Sequence, residues 1–188
     1  AMVTEITQAG DVADAVRRGA RVCTHWGNAT GTAVNPPRYE GTLEVGFDVA
    51  CMLQKALFCE MINDSLGAHV RPEMGRFLVQ AIGLDRVIGV TDACTGGDDG
   101  TDLNLVNGEL YGSKLRMNQA ARNFKTNTGL SDCEVFRVCS LNPARAMRID
   151  GEVGSIEPGK AAKLVVLDDA YEVRRVYLRG EPVVGNGE

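Results

Sequence analysis

Histidine is scarce in this chain: only His25 and His69 occur in 188 residues. An enzyme built on metal or acid–base chemistry would have to use both sparingly. Long charged blocks are absent and the net charge is −5, so no basic patch is offered to a nucleic acid. No apolar run approaches membrane-spanning length, and no secretory leader is read ahead of the first motif. None of the six cysteines forms a C-x-x-C pair. Cys23, Cys51, Cys59, Cys94, Cys133 and Cys139 lie in apolar segments, which predicts buried free thiols in a reducing compartment, the cytoplasm. What remains is ordinary for a globular domain: 44% hydrophobic and 24% charged residues, in a chain long enough to bury a core.

Helical and strand signals alternate along the first half. Residues 11–19 (DVADAVRRG) read as a helix with Asp11 as N-cap and Gly19 as its stop. Residues 20–24 (ARVCT) read as a strand that runs into His25. A Gly/Pro/Asn-rich loop covers 27–46, and a helix is expected over 49–57. Residues 58–62 (FCEMI) read as a strand ending at Asn63 and Asp64. Pro72 suits a first helical position, and Met74, Phe77, Leu78, Ala81 and Ile82 keep helical spacing up to Gly83. Residues 86–91 (RVIGVT) form a third strand, ending at Asp92. His25, Asp64 and Asp92 thus all stand at carboxyl ends of strands, the edge where parallel α/β proteins bind ligands. Each residue taken singly also reads as a cap or a loop solvator, but three such placements in succession favour the ligand-binding edge.

The second half opens with a hairpin over 102–111, turning at Asn107-Gly108. An amphipathic helix follows over 114–128. Ser131 and Glu134 form a capping box for a helix through about 139, and Asn142-Pro143 begins another to about 147. Residues 163–167, 173–178 and 182–184 are short β segments of a small all-β appendage.

Six stretches then stand in a fixed order: THWGNA at 24–29, INDSLGAHV at 62–70, VTDA at 90–93, LYGSKLRM at 110–117, SLNPARA at 140–146 and GSIEPGK at 154–160. Together they resemble the N-acetylglucosamine-6-phosphate deacetylases of the amidohydrolase superfamily. The resemblance implies an α/β chain forming the C-terminal part of a (β/α)8 TIM-type barrel, about strands six to eight. A small β-sandwich appendage follows, with partial barrel over 1–149 and sandwich strands over 150–188.

The same resemblance implies the chemistry. The family hydrolyses the acetyl amide of an amino-sugar phosphate with a divalent metal, zinc by preference, that activates water and polarises the carbonyl. Asp92 matches the catalytic carboxylate, and His25 matches a metal-ligand histidine. His69 matches a substrate-contacting histidine, in a loop with about two extra residues. Asn28 and Ala29 match a phosphate-contacting pair, and Arg38 a phosphate-binding arginine. Leu110, Tyr111 and Gly112 match a segment lining the sugar. Asp64 stands where it would either bond the sugar or cap its loop.

Some of the pattern is missing. The family's glutamate ligand comes from the first half of the barrel, and its other histidine ligand from the end of strand five. Residues 2–7 (MVTEIT) hold no histidine, only Glu5. The expectation is therefore a truncated chain of little activity, one that self-associates or takes a partner supplying the missing barrel half. Two alternatives remain open at this point: another amidohydrolase of dihydroorotase or cyclic-amidase type, and a non-catalytic remnant that binds sugar phosphate.

Overall fold

A computed structural model describes residues 9–30, 39–42, 45–94, 96–97 and 99–185. Arg38 and Glu5 lie outside the described residues. Three parallel strands form the first sheet in the order β1 (Val22–Cys23), β2 (Phe58–Ile62), β3 (Val87–Val90). Helix α1 (Ala9–Arg17) precedes β1, and the two connections pass through α2 (Phe47–Leu53) and α3 (Pro72–Ile82). A hairpin of β4 (Leu103–Val106) and β5 (Glu109–Ser113) follows, then α4 (Met117–Thr128), α5 (Asp132–Phe136) and α6 (Asn142–Met147). Strands β6 (Leu164–Leu167), β7 (Val173–Leu178) and β8 (Glu181–Gly185) form a separate antiparallel sheet. The chain is thus a partial α/β unit with a small β appendage.

Period-2 alternation divides β2 between two environments. Cys59 and Met61 face the helices, in a core with Val12, Cys51, Leu78, Phe124, Val135 and Val138. Gly89 lets that helical layer approach β3, since a Cβ there would meet Cys139 Sγ at 3.0 Å. On the opposite face, Ile62 and Val90 pack against Leu115 and Ala120. The appendage is tied to this unit through Tyr171, which is buried in the main core and donates from its hydroxyl to Asp132.

Several elements differ from the sequence expectation. The first strand shrinks to two residues because the chain turns sharply over 24–27. The helix expected over 49–57 ends at Leu53, where Arg86 gathers freed carbonyls: Nε donates to Leu57 O at 2.9 Å and Nη2 to Gln54 O at 2.7 Å. The helix expected from 114 starts at Met117, because the Arg116 N–H is capped by Gln119 Oε1 at 2.9 Å. Beyond Phe136 the capping-box helix passes through a π-helical turn (Arg137–Leu141) directly into α6. Fully buried Asn142 explains this continuity, donating to Leu84 O at 2.9 Å and Val87 O at 2.8 Å below β3. The six cysteines are free, but Cys94 and Cys133 are exposed, not buried as expected, since both fall outside the sheet–helix core. Among the described residues no helix is long and apolar enough to cross a membrane.

Candidate active site

The three strand ends repeat one arrangement. His25, Asp64 and Asp92 each stand two residues past the last residue of β1, β2 and β3. Because the strands are parallel, all three emerge at the same edge. His25 and Asp92 also share an uncommon backbone, with φ of 32° and 48°. For residues other than glycine this left-handed region is costly and persists only where the surroundings enforce it.

At His25 the enforcement is visible. The Asn28 N–H donates to His25 O at 3.0 Å, and His25 Nδ1 lies 3.1 Å from Asn28 O. A carbonyl only accepts, so Nδ1 carries the proton, and Nε2 is the nitrogen left for a ligand. Asp48 of α2 pins the rest of the loop. Its carbonyl accepts from Trp26 Nε1 at 3.2 Å, and its carboxylate accepts from Gly27 N at 3.3 Å and Thr30 Oγ1 at 2.6 Å. Asn28 is half-buried at this turn and Ala29 is exposed at its tip.

Asp92 is held by the hairpin. Ser113 N donates to Asp92 O at 2.8 Å, Cys94 N to Ser113 O at 2.8 Å, and Ser113 Oγ to Thr91 O at 2.5 Å. Gly112 runs so close that a Cβ would meet Asp92 O at 2.6 Å, and its φ is 64°. Glycine is required there on both counts.

Asp64 and His69 are placed deeper than the loop reading implies. Asp64 is fully buried and organises its own loop, accepting from the backbone of Leu66, Ala68 and His69 at 3.0, 2.9 and 2.9 Å. Of the two roles open to it, the described contacts are those of a loop cap. His69 Nδ1 faces Asp64 Oδ2 at 3.0 Å, and Nε2 faces Gly112 O at 3.0 Å. Both partners are acceptors, so both ring nitrogens donate and the ring is an imidazolium. Burial works against that charge, but the Asp64 hydrogen bond, with Gly112 O and the Asp64 and Asp92 charges, holds the His69 pKa above its ordinary value. Burial likewise opposes ionised Asp64, yet the bonds from His69 and the loop amides hold its carboxyl well below the usual range. In this arrangement the His69 ring has no nitrogen free for a substrate. Leu110 and Tyr111 are exposed on β5, with Tyr111 O accepting from Asn104 Nδ2 at 2.7 Å.

Glu60, unremarked in the sequence, enters this group. It sits half-buried mid-β2, on the face opposite Cys59 and Met61, within electrostatic reach of His25 and Asp92. Burial lifts its carboxyl above the ordinary value, and the Asp92 charge adds to this, while His25 draws it back. The clue available in FCEMI was an acid at the centre of an apolar strand. Asp48 and Asp102 were also unremarked. Asp102 accepts from Ser65 N at 2.8 Å and from Asn123 Nδ2 at 2.9 Å, joining the β2 loop to α4.

The parallel sheet thus presents one histidine and two aspartates at the carboxyl ends of three adjacent strands. The chain belongs to the amidohydrolase family, whose model matches residues 68–183. Its relatives include amino-sugar-phosphate deacetylases. A putative N-acetylgalactosamine-6-phosphate deacetylase of Escherichia coli K12 is 31% identical over 153 residues, covering 73% of this chain and 90% of that protein. N-acetylglucosamine-6-phosphate deacetylase of Bacillus subtilis is 28% identical, over 90% of this chain and 44% of its own length. A solved structure of N-acetyl-D-glucosamine-6-phosphate deacetylase from Mycobacterium smegmatis, a mutant in complex with N-acetyl-D-glucosamine-6-phosphate, superposes with a TM-score of 0.77 at 28% identity, over 96% of this chain and 50% of that one. The chain therefore spans nearly all of the short K12 relative but about half of the longer ones.

The family generally uses a divalent metal. A catalytic ion commonly takes about three protein donors. Here the strand-end edge offers the free Nε2 of His25, and among the described residues no group of three His, Cys, Asp or Glu side chains could hold an ion. The described residues alone do not fit a metal centre.

Proposed function

We propose that this chain carries the substrate-side half of an amidohydrolase that removes the acetyl group from an N-acetyl amino-sugar 6-phosphate. The observation that carries the reading is the pairing of His25, with Nε2 free, and Asp92 at one edge of a parallel sheet. Asp92 is the general base, taking a proton from the attacking water and returning it to the leaving amine. His25 is one ligand of a divalent-ion site, zinc by preference, whose other donors come from outside the described residues. Asn28, Ala29 and Arg38 bind the phosphate, and Leu110, Tyr111 and Gly112 line the sugar. Glucosamine and galactosamine phosphates are both candidate substrates. On this reading β1 to β3 are strands six to eight of a barrel, with residues 1–149 as partial barrel and 150–188 as sandwich strands. Six free thiols suit a reducing compartment, the cytoplasm.

A second reading, phosphosugar binding without turnover, is favoured by the described residues, among which no group of three donor side chains could hold an ion. Calorimetric titration with N-acetylglucosamine-6-phosphate and with unphosphorylated N-acetylglucosamine, alongside an acetate-release assay with added Zn²⁺, tests both. Binding of the phosphorylated sugar alone supports the site, and acetate release separates the two readings. Absence of binding by either sugar defeats both.

A further inference from the structure

The turn that leaves β1 alternates in backbone hand. His25, Gly27 and Ala29 hold φ of 32°, 79° and 58°, while Trp26 and Asn28 between them stay outside that left-handed region. Two of the three left-handed residues carry a Cβ, and in such residues the conformation persists only where neighbouring structure enforces it. Inside this turn Asn28 N donates to His25 O at 3.0 Å, and His25 Nδ1 meets Asn28 O at 3.1 Å.

Asp48, in the first turn of α2, grips the same segment at three points. Its Oδ1 accepts from Gly27 N at 3.3 Å, and its Oδ2 from Thr30 Oγ1 at 2.6 Å. Its main-chain carbonyl accepts from the indole of buried Trp26 at 3.2 Å. Trp26 N donates in turn to Glu60 O at 2.7 Å. The segment is therefore anchored to β2 on one side and to α2 on the other. Gly27 lies within the closure that joins His25 to Asn28, and Thr30 fixes its exit. Both carboxylate oxygens of Asp48 are taken by this turn, so Asp48 acts through it.

We infer that Asp48 is a positioning residue: its side-chain oxygens hold the middle and the exit of the 25–30 turn, which keeps His25 Nδ1 on Asn28 O and presents Nε2 at the strand-end edge. The functional weight of this role rests on the proposed assignment of His25 as a ligand. The test involves neither metal nor sugar, so its failure is distinguishable from failure of the deacetylase reading.

With two histidines in the chain, ¹⁵N NMR of the imidazole rings reads the tautomer of each. At about pH 8, above the ordinary histidine pKa of about 6.5, the wild-type protein should show His25 as Nδ1–H. Asp48→Ala removes both acceptor oxygens and should shift His25 to the Nε2–H form that free histidine prefers. Asp48→Asn keeps an oxygen for Gly27 N and an amide that donates to Thr30 Oγ1, and should retain the wild-type signature. His69, held by Asp64 and Gly112, is the internal control and should stay unchanged in both variants. Retention of Nδ1–H in Asp48→Ala, or its equal loss in Asp48→Asn, overturns the inference. So does a change in both histidines together, which marks a general loosening of the fold. If Asp48→Ala does not fold, Thr30→Val decides, since it removes the hydroxyl that Asp48 Oδ2 accepts from and leaves α2 intact. A shift of His25 alone towards Nε2–H then supports the role, and an unchanged His25 overturns it.

Discussion

His69 Nδ1 lies 3.0 Å from Asp64 Oδ2, and both side chains are completely shielded from solvent. A buried ion pair of this kind titrates at both ends of the pH scale. The Asp64 carboxyl is held below its ordinary value, so its stabilisation is full above about pH 4 and fades as pH falls through the folded value. The His69 pKa is raised, so its stabilisation is full below about pH 6.5 and fades as pH rises through the folded value. Stability from this pair should therefore plateau between about pH 4 and 6.5 and decline on either side. Removing one partner strands a buried charge, so His69→Ala should cost about 3–5 kcal/mol. Urea unfolding of wild type and variant from acid to alkaline pH checks both statements. An alkaline decline of equal size in the two proteins would show that His69 is not its source.

Gly112 links that pair to Asp92. Its carbonyl accepts from His69 Nε2, and its Cα side faces Asp92 O, where a Cβ would sit 2.6 Å away. Gly112→Ala adds that clash to the strain of an alanine at φ 64° and should lower stability by about 1–3 kcal/mol. The hairpin must then move relative to the Asp92 segment, so phosphosugar binding should weaken with it. Gly108→Ala, at the hairpin turn with φ 85° and open space around it, is the matched control. It bears comparable backbone strain without the contact. Equal losses in the two variants would remove the close approach as the cause.

The strand-end positions were legible because a parallel strand followed at once by a polar residue leaves few arrangements. His25, Asp64 and Asp92 were placed that way, and the hairpin at Asn107-Gly108 by its turn residues. Depth was not legible. His69 reads as a loop histidine, and only the three-dimensional loop shows Asp64 collecting three amides and a ring within five residues. Glu60 was hidden because an apolar segment announces a strand without saying which neighbour its one acid meets. Asp48 and Arg86 bond to backbone groups brought near by the fold, for which no local sequence pattern exists.

The purified chain should carry well under one equivalent of zinc by elemental analysis and release acetate only at background rates. The physical ground is the single bare imidazole nitrogen at the strand ends, with no group of three donor side chains among the described residues. An ion bound by the folded state would add stability according to its affinity. EDTA should accordingly leave Tm unchanged. One firmly held equivalent of metal, released by chelator with a fall in Tm, would mean that donors outside the described residues complete the site.

Edges provide the last test. Among the described residues β1 and β3 each pair on one side only, and so do β6 and β8 of the second sheet. Unpaired strand edges present rows of N–H and C=O groups that recruit other strands. Near β6 the surface is also apolar: Val165, Val166, Phe136 and Ile156 are all exposed. Concentration-dependent association is therefore expected in sedimentation velocity, with the weight-average coefficient rising with loading. Val165→Lys places a charge on the exposed face of β6 and should lower that rise, since lysine on an edge strand opposes further pairing. Val165 is 57% exposed, so the fold itself should tolerate the change with a Tm near that of wild type. A wild-type coefficient constant across a hundredfold range of concentration (roughly the span needed to bracket micromolar affinities) would show these edges to be closed by the chain's own segments.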